Sequence, residues 1–329
     1  MSGVVEEQTP AICERRTNLA QLGMSDVDLS LATTPSGLTA VWSPIVGGEL
    51  FGVDVAASSH TSGPLVRIRS GTFTATSAAY IDGQLVTAGV TGSRTLIQQV
   101  PQPLAAAPEI GNFDGMFVGK TTLAHSGGDR VIATSCSSGL TMSAFDTLWN
   151  GSEGTFYVST NATQSIDMTP MGTKAFAVWS TASSCHYETI TSKTTGTMRQ
   201  TNSKPCLDAR VASNGFDVAI AFDDGSNAGL VIDDPATVSV VNAVLEPGAR
   251  SPRVVWDGAR YWISYLDATN HVIVGYLDAQ GSLYRGALSD AAPKDKAYEL
   301  GMFDGAVWLF DVDPTTQQLN ASRLCRPAS

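Results

Sequence analysis

A chain of 329 residues that is 43% hydrophobic can bury a continuous core, yet its charged fraction of 16% falls below the roughly 25% of ordinary soluble domains, with Ser, Thr and Gly filling the difference. Acids outnumber bases 31 to 20 and the net charge is −11, so the cationic surface that nucleic acid requires is missing and an anionic membrane is repelled. No run of about twenty apolar residues occurs, so membrane insertion is not expected, and the favoured partners are neutral polymers such as glycans, cationic peptides or divalent cations.

The chain opens with MSGVVEEQTPAICERR, which has acids where a signal peptide has bases and lacks an apolar stretch. Either the protein is cytosolic or a leader has been removed ahead of the start Met. The cysteines, considered below, favour removal and an extracellular or cell-surface location.

From Gly37 onward one unit returns seven times. A tight-turn glycine precedes a short apolar run, the pairs being Gly37 with Trp42, Gly83 with Ala88, Gly128 with Thr134, Gly172 with Trp179, Gly215 with Phe222, Gly258 with Tyr265 and Gly305 with Phe310. The runs thus end 43 to 46 residues apart, and strand-like units of that length are the mark of β-propeller blades. The predicted fold is all-β, one seven-bladed propeller of four-stranded antiparallel blades over residues 1–329. Repeats centre near 42, 88, 134, 179, 222, 265 and 310.

The sixth unit shows the pattern most fully. Pro252 to Trp256 reads as a first strand, Asp257-Gly258 as a type I′ turn, Arg260 to Leu266 as a second strand, and His271 to Leu277 as a third. Gly281 precedes a weaker fourth strand. The same turn is predicted at Asp82-Gly83, Asn214-Gly215 and Asp304-Gly305. RVVWDGARYWISYLDATNHVIVGYLD resembles the blade repeat of secreted bacterial β-propellers with a W-D-G turn, as does ARVASNGFDVAIAFDDGSNAGLVIDD in unit five and the whole of unit seven. The likeness is strong over residues 205–325 and loose before them. It implies the fold and export, and no particular activity.

Unit seven supplies three strands before the chain ends. An open ring would leave unpaired edges, so the segment from Ala11 to Leu22, within an N-terminal closing stretch 1–22, is predicted to complete it. That sets Cys13 beside Cys325, where a disulfide would close a loop of over 300 residues. Cys185, placed in the loop after the second strand of unit four, and Cys206, just before the first strand of unit five, fall on one face and form a second predicted bridge. Cys136 is left as a buried free thiol. With no CxxC pair and no zinc-finger histidine spacing, a structural zinc site is not expected.

Polar residues cluster in the loops after second strands: Asp223, Asp224 and Asn227; Asp267, Asn270 and His271; Asp311 and Asp313; with His186 in unit four. Oxygen ligands of this kind can hold Ca²⁺, but Asp and Asn are also what turns use for their own hydrogen bonds, and no calcium-loop motif is present. Turn chemistry is therefore the first reading, no cofactor is predicted and calcium is the alternative. No G-x-S-x-G elbow accompanies the histidines. Trp42, Trp179, Tyr265, Phe310, Trp262 and Trp308 read as core between blades, and Trp149 as exposed. The sequons at Asn150, Asn161 and Asn320 carry no weight without a glycosylating host.

Two functions remain. The first is a secreted, monomeric, non-enzymatic binding module that uses these loops to hold a glycan or a protein, with no nucleic acid. The second is an extracellular glycan-active hydrolase or lyase, whose carboxylates would come from Asp114, Asp167, Asp208 and Glu299 at the channel mouth. Two carboxylates in perturbed surroundings there would favour the enzyme, and a channel of Ser, Thr and apolar residues the binder.

Overall fold

The structure is a computed structural model, and it describes residues 10–114, 117–126, 129–136, 139–145, 152–159, 163–191, 194–195, 199–200, 204–234, 239–277, 282–288 and 292–325. Seven antiparallel sheets form the seven blades, each a four-stranded meander, and blade 4 also pairs the short segment Arg199–Gln200. The first strands are Val27–Thr34, Ala75–Ile81, Phe117–Ser126, Thr163–Met171, Leu207–Ser213, Arg250–Trp256 and Tyr298–Phe303. Val41, Val86, Ile132, Val178, Ala219, Ile263 and Leu309 all lie in second strands, as the repeat spacing requires. Gly128, residues 149–151, Asn161, Gly281 and the Cys136 side chain lie outside what is described.

Each blade is apolar on both faces because it is sandwiched between two others, and successive side chains of a strand point to opposite neighbours. Trp262 packs with Tyr298 and Leu309 of blade 7, while Ile263 beside it packs with Ala221 and Leu230 of blade 5. The described residues give one buried cluster per blade junction, seven in all. The predicted aromatics occupy them: Trp42, Trp308 and Phe310 at the junction of blades 7 and 1, Trp179 between blades 3 and 4, and Tyr265 between blades 5 and 6.

The ring closes as predicted. Ala11–Gln21 is the outer strand of blade 7 and pairs with Gln318–Cys325, with Ala11 opposite Cys325 and Gln21 opposite Gln318. Cys13 sits at a register shift between Ile12 and Glu14 and is bonded to Cys325, their Cα atoms 5.9 Å apart. Cys185 and Cys206 form the second disulfide with Cα atoms 5.0 Å apart. Cys185 is not in a loop but opens the third strand of blade 4, Cys185–Thr191.

The turns split into two kinds. Asp82-Gly83 and Asp304-Gly305 have positive φ at both residues, the type I′ requirement. At Asn214-Gly215 and Asp257-Gly258 only the glycine is positive. There the side chain closes a longer turn, because Asp257 Oδ1 accepts the Ala259 and Arg260 amides, each at 2.7 Å. The second strand accordingly begins at Tyr261 rather than Arg260.

Candidate functional site

In a ring of such meanders the connections from second to third strands, and from each outer strand to the next first strand, share one face, called here the upper face. First strands line a central channel with a cavity of about 540 Å³. Its wall is mostly hydroxyl and apolar, with Ser30, Thr76, Thr121, Leu123, Met168 and Leu300 typical.

Two of the predicted carboxylates, Asp167 and Glu299, line this channel, and Asp208 joins Glu299 through two arginines; each is already engaged. Asp208 accepts Arg210 Nη1 at 2.9 Å through Oδ1 and Arg253 Nη1 at 2.8 Å through Oδ2. Glu299 Oε2 lies 3.3 Å from Arg210 Nε and 3.2 Å from Arg253 Nε, and Oε1 accepts the Leu300 amide at 3.2 Å. Asp167 accepts the Val211 amide at 3.0 Å and the Thr122 hydroxyl at 3.2 Å, tying blades 3, 4 and 5 together. The Asp114 side chain lies outside the described residues.

Sequence reasoning missed the two arginines. Burial pulls the Arg210 pKa down, but Asp208 and Glu299, with Asp167 and Asp28 behind them, more than reverse this and hold it above the ordinary value. Every carboxylate oxygen of Asp208 and Glu299 meets a donor, and the two acids are matched in charge by the two arginines. Other inward groups staple neighbouring blades: Asp28 Oδ2 accepts the Thr76 amide at 2.9 Å, Ser30 Oγ the Ala78 amide at 2.9 Å, and Ser165 Oγ the Ala209 amide at 2.9 Å. The channel is a hydrogen-bonded hub.

The predicted loop residues share the upper face, at separate blade corners. Asp223 ends the second strand of blade 5 and Oδ1 accepts the Gly225 amide at 2.6 Å, and burial raises its pKa. Asp224 Oδ1 accepts the Ser226 and Asn227 amides, each at 2.9 Å, while Oδ2 takes Lys204 Nζ at 2.7 Å. Asn227 Oδ1 accepts Gly248 N at 3.4 Å. Asp267 Oδ1 accepts Thr269 N at 2.8 Å and His271 N at 2.9 Å, and His271 Nδ1 meets the Thr269 hydroxyl at 2.7 Å. Asn270, in the left-handed region at φ 70°, accepts a short bond from Arg250. Asp313 Oδ1 caps Thr315 and Thr316, each at 2.8 Å.

Two of the predicted residues are less available. Asp311 lies inside the second strand of blade 7, Ala306–Val312, is 2% exposed, and is pushed up to about 6 by burial. His186 is held by Ser184 Oγ at 2.6 Å and stacks on Trp179 at 5.7 Å, and burial lowers its pKa. Among the described residues no three His, Cys, Asp or Glu side chains converge to hold a metal ion. Asp223, Asp224, Asp267 and Asp313 each accept amides of their own turns.

One concave feature on this face joins a predicted residue to unpredicted ones. Where blades 6, 7 and 1 meet, a pocket of about 560 Å³ is lined by Arg250, Thr269, Asn270, Lys294 and Lys296 together with Asp26 and Asp295. A lower-face cleft of about 600 Å³ between blades 1 and 2 is more apolar, and its Asp54 is engaged by the Thr39 hydroxyl at 2.6 Å and the Leu104 amide at 3.2 Å.

No family model matches the chain, and no curated protein is significantly similar in sequence. Solved structures do match it. The WD40 domain of Toxoplasma gondii coronin superposes with a TM-score of 0.63 at 12% identity, covering 98% of this chain and 88% of that one. Kuenenia stuttgartiensis hydrazine synthase gives a TM-score of 0.66 at 13% identity, covering 94% and 97%. At such identities the likeness establishes the propeller fold alone.

Proposed function

We propose that the protein is a non-enzymatic binding module whose upper face, over blades 4 to 7, holds a glycan or a protein outside the cell. The observation that carries this reading is the commitment of Asp208 and Glu299 to Arg210 and Arg253, which among the described residues leaves the channel without an unengaged carboxylate pair. The upper loops support it in another way. Their carboxylates cap their own turns, which gives rigid polar corners that lose little entropy on binding. The two disulfides are compatible with an oxidising, extracellular setting. The reading includes a monomer with no resident cofactor, no nucleic-acid partner and no membrane insertion.

The test is a glycan array probed with the purified protein, run beside an assay for new reducing ends and unsaturated products on the same glycans. Retention of a glycan without product supports the module. Turnover that disappears in Glu299→Gln, with melting temperature preserved, would establish the hydrolase or lyase instead.

A further inference from the structure

Most cations of this acidic chain are engaged in structure. Arg210 and Arg253 hold the channel, Arg130 meets Asp82 at 3.1 Å, Arg285 lies 3.7 Å from Glu246, and Lys204 pairs with Asp224 at 2.7 Å. Lys294 and Lys296 differ: among the described residues neither makes an ion pair, and both line the upper-face pocket where blades 6, 7 and 1 meet. Two of the six lysines of the chain thus line one cavity of about 560 Å³ without an ion-pair partner among the described residues, a volume within the roughly 300 to 1,000 Å³ usual for small-molecule sites.

The wall that carries them is fixed from several sides. Lys296 O accepts the Leu29 amide of blade 1 at 3.0 Å, and Lys294 O accepts the Ala297 amide at 2.9 Å. Asp295 O accepts Arg253 Nη2 at 2.8 Å, and the Asp295 carboxylate holds Arg250 Nε at 2.9 Å. Arg250 is in turn shared with Asp267 O and Asn270 Oδ1. Arg250 and Asp295 therefore cancel, which leaves Lys294 and Lys296 against Asp26, a local excess of one positive charge in a protein of net charge −11. That excess is too small for a polyanion such as nucleic acid and suits a single anionic group. Ile45 and Pro293 supply apolar surface for the C–H face of a ring, and Asn270, with its oxygen occupied by Arg250, keeps its amide N–H groups for hydroxyls.

We infer that this pocket binds an anionic saccharide, whose carboxylate or sulfate sits between the ammonium groups of Lys294 and Lys296. The inference rests on the binding-module reading and names the ligand class for its upper face. Charge-assisted hydrogen bonds from two lysines whose backbone is held in place fix the anion, while the repulsion of the whole chain keeps away extended polyanions.

The experiment is calorimetric titration with tri-galacturonic acid, a sulfated disaccharide, maltotriose and a tri-glutamate peptide. The expected result is binding of one or both anionic saccharides, weakened by added salt, with maltotriose and tri-glutamate inert. The galacturonate and sulfate arms identify which anion is read. Lys294→Gln and Lys296→Gln should each weaken binding on the order of tenfold, the size of one charged hydrogen bond, at unchanged melting temperature. Unchanged affinity in both variants, equal binding of tri-glutamate, or silence of both anionic saccharides would overturn the inference. If the anionic saccharides are silent while an array identifies another glycan bound without turnover, the binding-module reading stands and only the ligand class falls. Product released during titration would count against the module itself.

Discussion

The disulfide that closes the ring should stabilise the protein more than the one that joins two neighbouring blades. Cys13 and Cys325 are 312 residues apart, whereas Cys185 and Cys206 are 21 apart. On the loop-entropy account the first bond withholds about 5 to 6 kcal/mol of denatured-state freedom and the second about 3 kcal/mol. The structure adds a reason for the gap to survive measurement. In the closing strand Ala11–Gln21 only Leu19 and Ala20 are buried, so little apolar packing would hold that strand once the covalent tie is cut. Guanidinium unfolding followed by tryptophan fluorescence should show Cys13→Ser/Cys325→Ser losing clearly more stability than Cys185→Ala/Cys206→Ala. Trypsin should also cut the first variant early, at Arg15 or Arg16. If the closing-bond variant loses no more stability than the other and resists trypsin, the N-terminal strand is held by its pairing with Gln318–Cys325 alone and the covalent argument fails.

His60 bridges the same seam, with Nδ1 3.0 Å from Glu14 and Nε2 3.0 Å from Asp304, and its ring on Trp308. The Glu14 hydrogen bond, offset in part by burial and helped by Asp304, raises its pKa above 6.5, so its contribution is complete below that value and is lost as pH rises through the folded pKa. Thermal melts from pH 6 to pH 9 should fall less steeply for His60→Gln than for the parent, and parallel curves would refute the seam role. Arg253→Met strips a donor from both Asp208 and Glu299 and should cost roughly 3 to 5 kcal/mol in urea unfolding; a cost near zero would mean the network is not held as described. Glu188 is 3% exposed and burial pushes its carboxyl up to about 7, so the folded state holds the extra proton and stability should fall as pH rises from 4.5 toward 7. Glu188→Gln should remove that fall, and an unchanged slope would place the titration elsewhere.

How much of this was legible in the sequence depends on distance along the chain. The Asp-Gly and Asn-Gly turns and the apolar runs are local signals, and their repetition carried the blade count, the second strands and the core aromatics. The closing strand followed from counting strands in unit seven, and both disulfides followed from placing cysteines on blades. Turn type was legible only in part. Asp82 and Asp304 adopt positive φ, but Asn214 and Asp257 use their side chains to cap two amides, a choice that the dipeptide does not encode. Asp311 read as a loop residue because its neighbour Asp313 is one, whereas the second strand of blade 7 runs through Val312.

The channel network was missed because acids were read without the bases one repeat away. Its contacts fall at the period of the blades: Asp208 to Arg253 and Thr122 to Asp167 span 45 residues, Ser165 to Ala209 and Asp167 to Val211 span 44, and Asp28 to Thr76 spans 48. Arg210 to Glu299, at 89, spans two periods. Equivalent positions of adjacent first strands meet at the channel wall, so pairing each residue with the one 44 to 48 positions on would have found the staples in advance. The same comparison separates structural from available charge. Arginine, with its rigid planar fork, serves where two carboxylates from different blades must be held at once, as Arg210 and Arg253 do. Lysine presents a single mobile point charge, and Lys294 and Lys296 stand in the connection between blades 6 and 7, without a carboxylate partner among the described residues. The hub of this propeller is tied by its own hydrogen bonds, and the proposed saccharide site lies instead on the connections, beside those two lysines.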